Sequence, residues 1–128
     1  MSFSNYLETE LLDHVFAGNA YTSPSAVYVS LHTANPDEDA SGAEVSTTGT
    51  AYTRLEGTFS VSGNTATTTA AIEWATATAD YGTVTHVGIW DASTAGNMLA
   101  YAALTASKTI STGDVFRIPS GDLDITLD

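Results

Sequence analysis

The sequence predicts a mainly β fold, an antiparallel, jelly-roll-like β-sandwich of about eight strands with one N-terminal α-helix. Short β-branched and aromatic runs recur at intervals of about ten to fifteen residues, separated by turns rich in Gly, Asn, Asp and Ser. A helical periodicity occurs only at the start of the chain, so the crossover helices that a parallel sheet requires are missing. With 128 residues, we expect one domain over 1–128.

The first segment carries an apolar stripe with a spacing of four: Phe3, Leu7, Leu11 and Val15, widened by Leu12 and Phe16. This spacing predicts an amphipathic helix near residues 4–17. Ser4 or Asn5 can cap its start, and Gly18 favours its end. The stripe can either cover an open edge of the chain's own sandwich or dock onto a neighbouring protein, and we expect the first.

The clearest strand lies at 26–32, where apolar and mixed positions alternate. The same criteria predict further strands at 52–55, 57–61, 67–74, 84–90, 98–104, 115–118 and 123–127. Trp74 and Trp90 fall within these patterns, and we therefore expect both rings to lie mostly in the core.

A long acidic loop is predicted at 33–50, either functional or mobile. Residues 37–42 copy the first six positions of a calcium-binding loop, but Thr48 stands where the closing glutamate is required. An irregular cation site using Asp37, Asp39 and Glu44 is the alternative to a solvated acidic loop. We prefer the solvated loop, and we predict neither a metal nor a cofactor.

The charge of the chain excludes two classes of partner. Fifteen acidic residues against three basic ones give a net charge of -12, which repels nucleic acid and anionic membrane surfaces. The sequence has no apolar stretch of membrane-spanning length and no signal-peptide pattern, so we expect a soluble protein made in a cytoplasm. No cysteine is present, which excludes disulfides and thiol chemistry.

No catalytic constellation is evident. The three histidines, His14, His32 and His86, lie on separate predicted elements without the spacing of metal ligands. No serine stands in a nucleophile-elbow motif. A pair of carboxylates for glycoside hydrolysis stays open, with Glu73, Asp80 and Asp91 as candidates, but turn and surface roles are commoner for such residues. We therefore predict that the chain is not an enzyme.

Two arginines need an explanation in so acidic a chain. Arg54 and Arg117 are two of the three cations, and both lie in strand-like segments. We expect each to pair with a carboxylate, where it fixes strand register or a subunit contact. Together with Leu11 and Val15 of the helix, they are the candidate assembly contacts.

Several long motifs resemble a family of small bacteriophage virion proteins commonly labelled tail-fibre-like proteins. They are SNYLE at 4–8, LDHVF at 12–16, VYVSLHTANP at 27–36, GAEVS at 42–46, the Tyr-x-Arg at 52–54, ATADYGTVTHVGIWDA at 77–92 and IPSGDLDITL at 118–127. The resemblance covers nearly the whole chain. It departs at 47–51, where relatives tend to carry a glycine cluster.

The resemblance implies a non-enzymatic virion structural protein, made in the cytoplasm of a bacterial host and contacting other phage virion proteins. We expect a tail, baseplate or fibre-type component that forms a homo-oligomer, for which a trimer is a natural guess. One alternative is a capsid decoration (cement) protein. Another is a receptor- or carbohydrate-binding module, in which exposed Tyr81, Trp74 or Trp90 would stack on sugars.

Overall fold

The structure is a computed structural model that describes residues 1–127; residue 128, the last of the predicted domain, lies outside them. The fold is mainly β and sandwich-like, with one helix and ten strands. In chain order the elements are β1 (Ser2–Phe3), α1 (Asn5–Phe16), β2 (Val27–His32), β3 (Leu55–Gly57), β4 (Phe59–Ser62), β5 (Thr65–Thr68), β6 (Ile72–Glu73), β7 (Gly82–Trp90), β8 (Met98–Ile110), β9 (Arg117–Ile118) and β10 (Asp124–Thr126).

The strands form three antiparallel sheets. The largest has five strands in the order β1-β8-β7-β2-β3, and smaller sheets join β10-β5-β4 and β6-β9. Strands β7 and β8 form the central hairpin, and β2 pairs along the other edge of β7. In that pairing Val29 lies opposite Ile89 and Leu31 opposite Val87, all almost fully buried. The apolar positions Val29 and Leu31 of the strand predicted at 26–32 therefore face the core.

Aromatic side chains form a large part of the buried core. Trp74 is 1% exposed, and its Nε1 donates to the Thr53 carbonyl oxygen at 2.9 Å. Its ring centroid lies 5.5 Å from that of Phe116, and the Tyr52 and Tyr81 rings meet edge to face at 5.8 Å. Trp90 is also buried, at 8% exposure, so the core placement predicted for both tryptophans is confirmed.

The predicted fold class is confirmed, but some strands differ. Only Leu55 of the segment 52–55 joins a ladder. The segment 67–74 is two strands in different sheets, β5 and β6, because the chain bends between them. At the bend the Thr69 N–H bonds to the Thr58 carbonyl, while Ile72 pairs with Ile118 of β9. A run of Thr and Ala cannot reveal this change of sheet.

The helix runs over Asn5–Phe16, close to the predicted 4–17. Ser4 is its N-cap, and the Ser4 Oγ accepts a bond from the Leu7 N–H at 3.2 Å. At the other end Gly18 adopts φ of 77°, and the Asn19 N–H donates to the Asp13 carbonyl at 3.3 Å. The Ala17 N–H donates to the same carbonyl at 3.1 Å, so both bonds close the last turn of the helix.

The helix stripe covers the sandwich only in part: Phe3, Leu7 and Leu11 are half-buried, with Phe3 packed against the core, and the end of the stripe is exposed. No residue of α1 is buried, and Leu12, Val15 and Phe16 are 60%, 64% and 80% exposed. The attachment of the helix explains this. The Ser4 N–H bonds to the Leu99 carbonyl, and the Ser4 Oγ bonds to the Met98 carbonyl, so β8 holds the start of the helix. The later turns lie beyond that contact, so the end of the stripe does not cover the sandwich.

Candidate functional site

Arg54 and Glu44 form a bidentate ion pair at the edge of the largest sheet. The Arg54 Nη2 lies 2.8 Å from the Glu44 Oε2, and the Arg54 Nε lies 2.9 Å from Oε1. The Arg54 Nη1 donates to the carbonyls of Ala92 and Ala95, at 3.1 and 2.8 Å. Its guanidinium carbon lies 3.6 Å from the centroid of the Trp90 ring, a cation–π contact. The prediction that Arg54 pairs with a carboxylate is confirmed.

Tyr52 extends this pair into the core. Its hydroxyl donates to the Glu44 Oε1 at 2.7 Å and accepts the Leu31 N–H at 3.1 Å. Burial of this hydroxyl raises the pKa of Tyr52. Burial would also raise the pKa of Glu44, but the hydrogen bonds from Arg54 and Tyr52 lower it below its usual value. Glu44 is therefore held as a carboxylate.

A chain of hydrogen bonds runs beside the ion pair from Trp90 to Gly42. The Trp90 Nε1 donates to the Ser30 Oγ at 2.8 Å, which lies 2.7 Å from the His32 Nε2. The His32 Nδ1 lies 3.2 Å from the Gly42 carbonyl. Because a carbonyl only accepts, we assign the proton to Nδ1, so that Nε2 accepts from Ser30. Burial lowers the pKa of His32, which favours this neutral form.

Gly88 of β7 makes room for this chain. A Cβ at this position would lie 2.7 Å from the Ser30 Oγ and about as close to the ring nitrogens of Trp90 and His32. A side chain is therefore excluded unless the hydrogen-bonded groups move. The sequence shows this glycine inside a strand but does not show what approaches it.

These contacts hold the long loop 33–50 against the sheet. The Thr33 N–H bonds to the Ala43 carbonyl and the Val45 N–H to the Leu31 carbonyl, both at 2.9 Å. The loop therefore returns antiparallel to the end of β2. We call the connecting side chains the loop anchor: Ser30, His32, Glu44, Tyr52, Arg54 and Trp90.

The loop anchor contains a serine and a histidine in hydrogen-bond contact, but their arrangement suits structure. Ser30 and His32 are both 0% exposed, so a substrate cannot reach either side chain. The Ser30 Oγ also accepts a hydrogen bond from the Trp90 Nε1. In a catalytic triad a carboxylate bonds to the second ring nitrogen of the histidine and orients it, but here the His32 Nδ1 bonds to the Gly42 backbone carbonyl. Ser30 and His32 lie two residues apart on β2, and no sequence motif marks them as a pair. Trp90, which completes the chain of bonds, is 60 residues from Ser30 in sequence.

The structure does not assemble the three candidate metal ligands. The Asp37 Oδ1 accepts from the Asn35 side-chain amide at 2.8 Å, and the Asp39 Oδ1 accepts from the Ser41 N–H at 3.0 Å. Hydrogen bonds from Ser41 lower the pKa of Asp39. Glu44 is committed to Arg54. Within residues 1–127, no group of three or more His, Asp or Glu side chains is placed to hold a metal ion.

Arg117 differs from Arg54. It is exposed on β9 and lies opposite Glu73 of β6 in the pairing register. In the part of the chain that the structure describes, the one ion pair is that of Arg54 with Glu44. The carboxylate pairing expected for Arg117 is therefore not formed there, and the guanidinium is exposed to solvent.

The second notable feature is an exposed apolar surface on the last turns of α1. Leu12, Val15 and Phe16 have the i, i+3, i+4 spacing that places them on one side of a helix. Leu12 and Phe16 border a shallow hollow together with Asp13. We call these three residues the free helix end. Leu11, a predicted assembly contact, is half-buried, whereas Val15 is exposed.

The aromatic residues proposed for sugar stacking are not exposed. Trp74, Tyr81 and Trp90 are 1%, 6% and 8% exposed, and Arg54 lies over the Trp90 ring. Stacking on a sugar needs an open ring face. These three side chains therefore do not form a carbohydrate platform in this structure.

Comparison with protein families gives one match over residues 2–126, to the family described as "Podophage GP4 fiber I protein gp80". The chain belongs to this family. It is a family of phage fibre proteins, so the resemblance read from the motifs is confirmed, and membership indicates a structural role in a virion. No curated protein matches the chain. Among residues 1–127, no helix has the length and apolar character needed to cross a membrane.

Proposed function

We propose that this protein is a non-enzymatic structural subunit on the exterior of a phage particle, as a tail, baseplate or fibre-type component. The observation that carries the proposal is the family match over residues 2–126. The subunit associates with other virion proteins and forms a homo-oligomer, for which a trimer is the natural symmetry to test first.

The use of polar side chains supports a structural role. The polar side chains of the loop anchor that could take part in catalysis, Ser30, His32 and Glu44, form hydrogen bonds to other residues of the same chain. The candidate carboxylates also stabilise turns: the Asp80 Oδ1 accepts the Thr112 N–H and the Asp91 Oδ1 accepts the Asn97 N–H, each at 2.7 Å. Such bonds stabilise the fold and leave few groups for a substrate.

The proposed assembly contacts are Leu11, Val15, Arg54 and Arg117. Because these side chains differ in exposure, they would contribute in different ways. Val15 and Arg117 are exposed and can contact a neighbouring virion protein directly. Leu11 is half-buried and would contribute an edge of its side chain. The Arg54 side chain is 8% exposed, so it would act by fixing the backbone at 92–95.

A capsid decoration protein is the second candidate, and the compact shape favours it. The longest strand has 13 residues, and the described residues contain no long repetitive shaft. A fibre would need a partner protein that supplies the shaft. A small sandwich-like subunit can instead sit between capsid proteins.

Antibody labelling of purified virions, viewed by electron microscopy, tests both candidates. We expect label on the tail, baseplate or fibres. Label over the head shell would instead identify the protein as a capsid decoration protein. Absence from mature particles would overturn the virion role. Light scattering of the purified protein measures the subunit number independently.

A further inference from the structure

We propose that the free helix end docks into an apolar groove, flanked by basic side chains, on another virion protein. This inference rests on the proposed virion role and names the contact that attaches the subunit. Leu12, Val15 and Phe16 are 60% to 80% exposed in the folded chain. Their spacing matches the anchors of helix-in-groove recognition, in which one apolar helix side fills a groove.

The helix is ordered before it meets a partner. Ser4 caps its start, and at its end the Asn19 side-chain amide donates to the Asp13 Oδ1 at 2.9 Å. The Asn19 N–H also bonds to the Asp13 carbonyl. Both ends are fixed by bonds that do not involve the three apolar side chains. Little conformational entropy is therefore lost when these side chains become buried in a groove.

Charge indicates which kind of partner fits. Glu8, Glu10 and Asp13 lie on the helix, and none of the three Lys and Arg residues does. Asp13 borders the same hollow as Leu12 and Phe16, and Glu8 precedes Leu12 by one turn. Where the same helix of a second copy met this surface, it would bring the same carboxylates to the contact. Basic side chains around an apolar groove complement this surface, whereas the same helix of a second copy repels it.

The test uses phage that lack this gene, grown in host cells that supply the protein from a plasmid. The test variant replaces the free helix end with polar helix formers: Leu12→Gln, Val15→Gln and Phe16→Gln. Val61→Gln is the matched control, because Val61 is 75% exposed on β4, away from the helix. Copies per purified particle are counted by quantitative mass spectrometry, and circular dichroism verifies that each variant folds.

We expect the number of copies per particle to be at least about tenfold lower for the triple variant, because three apolar anchors are lost. The number for Val61→Gln should equal that of the wild type. Glu8→Lys should lower incorporation several-fold, and Glu56→Lys, an exposed charge reversal on β3, should not. These two variants change net charge equally, so only the position of the charge distinguishes them.

Other outcomes overturn the inference. Normal incorporation of the triple variant would show that the helix is not the contact. A wild-type oligomer that becomes monomeric in the triple variant would identify a second copy as the occupant. Higher incorporation of Glu8→Lys would show that the groove is flanked by acidic residues. Absence of the wild-type protein from particles is a separate result, because it refutes the virion role itself.

Discussion

The loop anchor and the free helix end place their side chains in opposite ways. In the loop anchor, ionised and polar groups lie inside the protein, and Ser30 and His32 are 0% exposed. In the free helix end, large apolar side chains lie outside, up to the 80% exposure of Phe16. The first arrangement is stable because its polar groups are paired within the chain. The second leaves apolar surface that only another molecule can bury.

This contrast separates stability from association. Side chains of the loop anchor connect β2, the loop 33–50 and the turn after β7, so their loss should affect folding. The free helix end contacts little of its own chain, so its loss should affect only binding. Substitutions in the two regions should therefore differ in their effect on the free energy of unfolding.

Glu44→Gln should cause the largest loss. It leaves the Arg54 guanidinium, with its side chain 8% exposed, without a charged partner. Removal of one member of a buried pair costs about 3 kcal/mol, because the remaining charge is uncompensated. The Glu44 side chain is 25% exposed, so we expect a loss of about 2 to 3 kcal/mol. Urea unfolding followed by tryptophan fluorescence measures the change. Arg117→Met is the control, since an exposed arginine without an ion pair in residues 1–127 should change stability by less than about 0.5 kcal/mol.

A double variant sharpens this prediction. Glu44→Gln combined with Arg54→Met removes both charges and should be more stable than the sum of the two single changes implies. Strictly additive changes would mean that the two side chains act independently, and the loop anchor would then not be one unit.

Gly88→Ala should cost about 2 kcal/mol, since a Cβ would lie 2.7 Å from the Ser30 Oγ and displace the hydrogen-bonded chain. Gly113→Ala is an informative comparison: nothing lies within 4 Å of a Cβ there, but the φ of 93° strains any side chain. Only Gly88→Ala should alter the tryptophan emission of the folded protein, because Trp90 would lose its bond to Ser30. An unchanged emission spectrum would contradict the proposed crowding.

Acid should weaken the loop anchor in two stages. Burial lowers the pKa of His32 in the folded protein below 6.5, so the unfolded chain binds its proton first as the pH falls. Stability present above pH 6.5 should therefore decrease as the pH drops from 6.5 toward the lowered value. The pKa of Glu44 is lowered below 4.5, so its contribution is lost in a second, more acidic range.

Urea midpoints between about pH 8 and pH 5 measure the first stage. In His32→Gln the urea midpoint should depend less on pH over this range, because the buried imidazole with the lowered pKa is absent. This expectation holds whatever the variant's stability at neutral pH. The exposed His14→Gln serves as the control and should retain the decrease. An equal slope in wild type and His32→Gln would locate the pH dependence elsewhere.

Local patterns were enough to predict the elements, and distant contacts decide how they meet. A spacing of four located the helix, and alternation located β2, since both depend on neighbouring residues. The scarcity of cations pointed to an ion pair at Arg54, although Glu44 could not be identified as its partner. The direction of the helix depends on the bonds from Ser4 to Met98 and Leu99 of β8, which join residues 94 and 95 positions apart. No periodicity encodes that contact.

The smallest effect is expected at the free helix end, and it completes the comparison. Phe16→Gln removes an 80% exposed ring that contributes little to folding, so the free energy of unfolding should change by less than about 0.5 kcal/mol. Gln also has a slightly better helix propensity than Phe, which opposes any loss. A decrease above about 1 kcal/mol in the urea experiment would mean that Phe16 packs against its own chain in solution. The helix would then stabilise the fold after all, and its apolar stripe would not need a partner protein to cover it.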